Sequence, residues 1–318
     1  MVKELLSKFR KCDVYYIINK LTKNIKKEWK IAFVSTIIIG LIAHLFVMVN
    51  IIPNHDGIFN IYANQNCINL GRFFLQYACG LTSYYTLPWI IGIFSLVTIA
   101  ITSIMIIELF NIRRKLNIIL ISGFLVTYPT VASTFAYVYT MDGYMLSLMF
   151  ATLSVVLAYK YKYGFIIGSI FICISLGIYQ AYVSVAILLC ILKIMISIID
   201  KHPKKEILIE IAKDLIMLLI GFISYYIILK IMLNIEKVTL STYQGVNSLN
   251  NISLINIYYG IKHAIKDFIQ YPIRMNFYKS NVIVLTSNLL IAIFLVYMYI
   301  KEFIEKNYIK NGFTYLYW

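Results

Sequence analysis

Residues 53–77 follow the first long apolar run of the sequence and read PNHDGIFNIYANQNCINLGRFFLQY. Asp56 and Arg72 carry the charge in this stretch, with no other ionised side chain between them and with polar-neutral and aromatic residues around them. Asp142, Tyr179, Gln180 and Gln244 recur in later segments that the charge pattern assigns to the same side of a membrane. A carboxylate, a guanidinium and several amide and hydroxyl groups above a bundle with almost no buried charge fit chemistry on the polar head group of a lipid. Each residue also has a plainer reading. Asp56 suits a solvated loop or a helix N-cap, and Arg72 an interfacial snorkel. Asp142 suits a first helical turn, and Gln180 the free groups of helix ends.

The elements that must position these residues are membrane helices. Apolar residues make up 61% of the 318-residue chain and charged residues 14%, against about 25% charged in soluble domains, and the mean hydropathy is +0.79. A membrane helix needs about 20 apolar residues. Such runs occur at Ile31 to Ile52, Pro88 to Phe110, Ile118 to Tyr137, Gly143 to Tyr159, Gly164 to Tyr179, Ala181 to Ile199, Leu215 to Leu233 and Val282 to Ile300. The expected fold class is an all-α integral membrane protein of about eight transmembrane helices. Residues 164–199 are too long for one crossing, and Gly177, Tyr179 and Gln180 mark the turn. The first run starts at Ile31 and lacks a small-residue cleavage site, so it is read as a retained anchor rather than a signal peptide.

The net charge of +15 could be mistaken for a nucleic-acid footprint. Drawn against the spans, however, 20 of the 29 Lys and Arg fall in the N-terminal segment, alternate loops and the C-terminal tail. By the positive-inside rule both termini face the cytoplasm, and the loops holding Asp56, Asp142, Gln180 and Gln244 face outward. Basic charge therefore encodes topology, and no nucleic-acid partner is expected. The expected organisation is a basic amphipathic segment over 1–30 on the anionic inner surface, one polytopic domain over 31–300 with long outer loops at 53–87 and 234–281, and a cytoplasmic tail over 301–318.

Within the loops, apolar positions between Gly57 and Tyr77 alternate with Asn and Gln, which predicts short interfacial helices broken at Gly71. Leu254 to Phe268 recur at helical spacing, which predicts an amphipathic helix with Lys262, His263, Lys266 and Asp267 on its solvated face. Pro129 should kink the third span in its outward half. There is no phosphate-binding Gly-rich loop, metal-type His and Cys cluster or nucleophile elbow. Of the five cysteines, Cys67 and Cys79 could pair in an oxidising compartment or stay free. The scarcity of charge within the spans argues against an ion-coupled transporter, whose site would lie at the midplane.

Six short motifs occur in order: Asn54-His55-Asp56-Gly57, Gly71-Arg72-Phe73-Phe74, Tyr128-Pro129, Asp142-Gly143-Tyr144, Gly177-Ile178-Tyr179-Gln180-Ala181-Tyr182 and Ser241-Thr242-Tyr243-Gln244-Gly245. Over about residues 50–300 the chain resembles the GtrII-type membrane glucosyltransferases. The resemblance implies a GT-C-like glycosyltransferase of the bacterial cytoplasmic membrane. Such an enzyme moves a sugar, typically glucose, from a polyprenyl-phosphate donor to a surface polysaccharide or lipid-linked glycan such as O-antigen, at the extracytoplasmic face. It gives Asp56 the catalytic carboxylate's place, as base on the acceptor hydroxyl or as orienter of the sugar. It gives Arg72 the donor phosphate, and Asp142, Tyr179, Gln180 and Gln244 the sugar or acceptor hydroxyls. No cofactor is implied, and the resemblance leaves a divalent-metal requirement open. The chain ends soon after the eighth span, at Gly312 to Trp318, where relatives usually continue, so a shortened member is expected. Two other classes fit the same residues: a flippase or transporter of lipid-linked sugars, with Pro129, Ser133 and Thr134 along its path, and a non-catalytic subunit of an envelope-polysaccharide complex.

Overall fold

The computed structural model describes residues 25–50, 52, 54–60, 63–79, 86–242, 253–270 and 282–305. The chain falls into two compact units, Met1–Val246 and Asn247–Trp318.

The first unit is a helix bundle. Its long helices are α1 (Lys27–Val49), α4 (Pro88–Leu109), α5 (Lys115–Thr127), α7 (Met141–Lys160), α8 (Gly164–Ile178), α9 (Val183–Ile199) and α10 (Lys204–Glu236). Shorter pieces lie between them: α2 (Gly57–Asn60), α3 (Leu75–Ala78) and α6 (Pro129–Thr134) are α-helical, and Ile68–Leu70 and Gln180–Tyr182 form single 3₁₀ turns. The second unit contributes α11 (Leu254–Gln270) and α12 (Val282–Glu305). No strand occurs among the described residues.

Five helical stretches are long and apolar enough to cross a membrane: Lys27–Val49, Pro88–Leu109, Met141–Lys160, Gln180–Ile199 and Lys204–Glu236. Three further apolar helices, Lys115–Thr127, Gly164–Ile178 and Leu285–Met298, are shorter. The third expected span is therefore divided. Pro129 has no N–H for Leu125 and disfavours helical backbone at the residue before it. Tyr128 accordingly turns to ψ 136°, and α6 restarts with Pro129 in its first turn. The carbonyl of Val126 left over by this break receives His44 Nε2 at 2.9 Å, and the His44 ring stacks on Phe135 at 3.8 Å. At the other expected division, α8 ends at Ile178 and Tyr179 is extended (φ −156°, ψ 111°) before the Gln180–Tyr182 turn.

Helices in lipid gain little from hydrophobic exclusion, so small residues and polar contacts decide where they cross. α7 packs between α4 and α8, α10 packs on α8, and α1 packs on α4 and α5. Ser147 and Ser175 join α7 to α8 reciprocally: each hydroxyl donates to the other's backbone carbonyl, at 2.9 and 3.0 Å. Farther along α7, Tyr159 donates to the buried Asp214 carboxylate of α10 at 2.7 Å. At the opposite end of the bundle from Tyr144, Glu108 of α4 gathers Lys26 (2.7 Å), the Trp29 indole N–H (2.7 Å) and Arg113 (3.1 Å).

A methyl added at Gly168 of α8 would lie 2.7 Å from the backbone carbonyl of Ser154 and 2.7 Å from Met217 Sδ. Gly168→Val should therefore cost about 1–3 kcal/mol through forced separation of α8 from its neighbours, seen as a lower Tm of the detergent-solubilised protein. Gly260→Ala, whose added methyl meets nothing within 4 Å, should leave the Tm unchanged or slightly raised.

Candidate functional site

The loop after α1 folds into the end of the bundle. Its second half is packed against the bundle, with Phe73, Leu75 and Cys79 all at most 2% exposed, whereas Ile58 and Phe59 of α2 and Tyr77 of α3 are exposed. Periodicity alone marks apolar faces without saying whether lipid or protein covers them, and here protein covers Ile68, Phe73 and Leu75 but not Ile58 or Tyr77. The local chain path follows from Gly71. Its φ of +76° is left-handed backbone that glycine adopts without strain, and its N–H closes the 3₁₀ turn onto Ile68 O at 2.9 Å. Arg72 N–H then donates to Cys67 O (3.0 Å) and Phe74 N–H to Gly177 O (2.8 Å). Gly177 is required at that contact, because a methyl there would come within 3 Å of both the Phe73 and the Phe74 rings.

The result is a cavity of about 930 Å³. Asp56, Asn60, Gln65 and Arg72 line it from the loop. Six tyrosines, Tyr128, Tyr137, Tyr139, Tyr144, Tyr179 and Tyr182, form much of the remaining wall. Arg72 Nη1 donates to Tyr144 Oη at 3.1 Å, and the guanidinium carbon lies 4.8 Å from the Tyr179 ring centre and 6.0 Å from that of Tyr144. The two rings stack on each other at 4.2 Å. Cation–π attraction of about 0.5–2 kcal/mol per ring holds such a group while leaving its hydrogen bonds for other partners. Arg72 enters no ion pair among the described residues, and its buried Nε has no hydrogen-bond partner there.

Asp56 is half-exposed, with Oδ1 3.2 Å from His55 Nε2. Its backbone carbonyl accepts Asn60 Nδ2 at 2.8 Å, and the Asn54 side chain caps the turn by accepting Gly57 N–H at 2.9 Å. Tyr139 sits within electrostatic reach of both Asp56 and Tyr144. Burial, then the charges of Tyr144 and Asp56, push its hydroxyl far above the ordinary phenol value, so it stays a neutral donor. Cys67, also on the wall, has its thiol pushed up by burial, partly offset by Arg72. No disulfide joins Cys67 and Cys79.

The structure thus brings Asp56, Arg72 and Tyr179 to one cavity and places Asp142 and Gln180 behind its walls. Asp142 is buried in the first turn of α7, where Oδ1 accepts the Gly143 N–H at 2.9 Å. It also faces Cys79, whose thiol is pushed up by burial first and by this carboxylate second. Gln180 turns away from the cavity: its Nε2 donates to Leu70 O (2.9 Å) and to Tyr225 Oη (3.2 Å). Tyr225 of α10 donates in turn to Gly71 O at 3.1 Å. Gln180 and Tyr225 therefore clamp the two carbonyls just before Arg72. The sequence places Tyr137 and Tyr139 on an outward polar-aromatic rim and Tyr144 in a motif without giving them site roles, and it gives no signal for Tyr225, since a tyrosine at an apolar helix position reads as ordinary core. Gln244 lies outside the described residues. Ser241, three positions earlier, lines the cavity and donates its N–H to Asn69 O at 2.9 Å.

No three potential metal ligands among the described His, Cys, Asp and Glu residues cluster together. What the cavity offers is a cation with no ion-pair partner among the described residues, an accessible carboxylate and an aromatic wall, a set suited to an anionic group joined to a sugar. The family model for glucosyl transferase GtrII matches residues 45–317. The chain belongs to the GtrII glucosyl transferase family. No curated protein and no solved structure matches it. A GtrII glucosyltransferase uses a sugar donor and an acceptor, and this one carries apolar helices of membrane-spanning length.

Gly71→Ala should strain the turn by about 1–3 kcal/mol, since its methyl would also lie 2.5 Å from Tyr225 Oη. Tyr225→Phe should cost about 0.5–1.5 kcal/mol for the lost bond. Both should raise amide exchange in residues 67–75 while leaving α4 and α5 protected, as read by hydrogen–deuterium exchange.

Proposed function

We propose that this GtrII-family protein transfers glucose from a polyprenyl-phosphate donor to a hydroxyl of a surface polysaccharide at the extracytoplasmic face of a bacterial cytoplasmic membrane. The observation that carries this reading is Arg72, held beside the stacked Tyr144 and Tyr179 rings with no ion-pair partner among the described residues, in the same cavity as Asp56. Family membership supports the sugar. The positive-inside pattern supports the side, because Lys26, Arg113 and Arg114 belong to the end of the bundle remote from the cavity.

In this reading the donor phosphate binds Arg72, whose planar fork matches two phosphate oxygens. The bond between the sugar's C1 and the phosphate oxygen breaks, and its electron pair goes to the phosphate. Arg72 stabilises the charge developing there. The acceptor oxygen forms the new bond to C1, and its proton passes to the Asp56 carboxylate. Tyr179 and the other ring faces and hydroxyls of the wall hold the sugar. Asp142 acts on it through the α7 start that carries Tyr144, and Gln180 through the turn that carries Arg72; Gln244 is assigned to the acceptor.

The test is transfer of labelled glucose from polyprenyl-phosphate glucose to extracted polysaccharide by reconstituted protein. Wild type should transfer label. Asp56→Asn should lose about 10²-fold or more of kcat at unchanged Tm. Arg72→Lys should weaken transfer, since it keeps the charge and loses the fork. Full transfer by Asp56→Asn would remove Asp56 from the chemistry, and movement of lipid-linked sugar without a new glycosidic bond would favour a transporter.

A further inference from the structure

A lipid-linked donor must leave its tail in the bilayer while its phosphate sits on Arg72, so one wall of the cavity has to open sideways. The walls differ in this respect. On the α9 side they are built by Ala181, Ser184, Val185 and Leu188, which share one helical face by their spacing. These residues belong to Gln180–Ile199, a stretch long and apolar enough to cross a membrane. Ala181, Ser184 and Leu188 are exposed, Leu188 to 58%. On the facing α6 side Thr130 and Ser133 are exposed cavity residues too. α6 and α9 do not pack as a helix pair. Between them stands the long contact of Thr134 Oγ1 with Tyr182 Oη, at 3.5 Å.

We propose that the cleft between α6 and α9 is the exit through which the isoprenoid tail of the donor passes from the cavity into the bilayer, with its first prenyl units on Val185 and Leu188. The division of the third span gives the cleft its origin. Because Pro129 ends α5 and α6 is only six residues long, no long helix covers this face of α9 beside the cavity among the described residues of the first unit. The small side chains Ala181 and Ser184 leave the width that a chain needs next to the phosphate site. Polarity changes along the path in the order an amphiphile requires: guanidinium and tyrosine hydroxyls first, then Ser184 and Thr130, then Val185 and Leu188. This inference rests on the donor class proposed above.

The experiment uses full-length protein in liposomes and a polyprenyl phosphate carrying a diazirine in its first prenyl units, with the labelled peptides mapped after irradiation. Label is expected on residues 128–134 and 181–188, and it should be suppressed by excess unlabelled polyprenyl phosphate. In parallel, Ser184→Trp should raise KM for the long-chain donor about tenfold, the equivalent of roughly 1.4 kcal/mol, with kcat within about twofold of wild type. Ile187→Trp, on the exposed face of α9 outside the cavity, should leave KM unchanged. Suppressible label confined to another face, or an unchanged KM in Ser184→Trp, overturns the exit and leaves the donor assignment standing. Absence of suppressible label at any face, together with no sugar transfer, overturns the donor assignment and the exit with it.

Discussion

The arrangement depends on a guanidinium kept in place by rings instead of by a carboxylate. An Arg paired with Asp or Glu is already neutralised, and a ligand must compete with that partner. Arg72 is held by Tyr144 and Tyr179, which are fixed by their own mutual stacking at 4.2 Å. The Tyr179 ring contributes cation–π attraction and the Tyr144 hydroxyl accepts one N–H, while Nε has no hydrogen-bond partner among the described residues. The charge therefore remains available to an anion.

That requirement explains much of the surrounding structure. Tyr144 is set by the start of α7, where Gly143 admits Cys79 and Asp142 completes the turn. Tyr179 is set by the end of α8, where Gly177 admits Phe73 and Phe74. The backbone carrying Arg72 is gripped from α10 by Tyr225 and from the α8–α9 turn by Gln180. Three helices and one loop thus fix the position of a single residue, and the reciprocal Ser147–Ser175 bonds lock the α7 and α8 ends relative to each other.

Sequence made the apolar helices legible because their signal is local, with Tyr179 and Gln180 at a turn, but five and not eight reach spanning length, and Pro129, expected to kink one span, divides it. Asp56 and Arg72 stood out because charge is scarce around them. The roles of Gln180 and Tyr225 were not legible, since their bonds to residues 70 and 71 span 110 and 154 positions, and no spacing rule reaches that far. The same limit applies to Phe73. An apolar side chain facing lipid and one facing protein have the same pattern, and only the fold tells that Phe73 lies under Gly177 and Tyr225. A kink at Pro129 was visible, but the full break was not, and its answer, His44 on the freed carbonyl of Val126, came from 82 residues away.

The most direct test of the central claim is equilibrium binding of polyprenyl phosphate, without sugar, to the purified protein and its variants. If Arg72 is the anion's anchor, Arg72→Gln should weaken binding at least about tenfold, as expected for loss of charge-assisted hydrogen bonds of roughly 1.5–3 kcal/mol, whereas Asp56→Asn should bind as wild type or slightly better. Equal affinity in wild type and Arg72→Gln would contradict the account, and would return Arg72 to the role of a cation stabilised by its tyrosines alone.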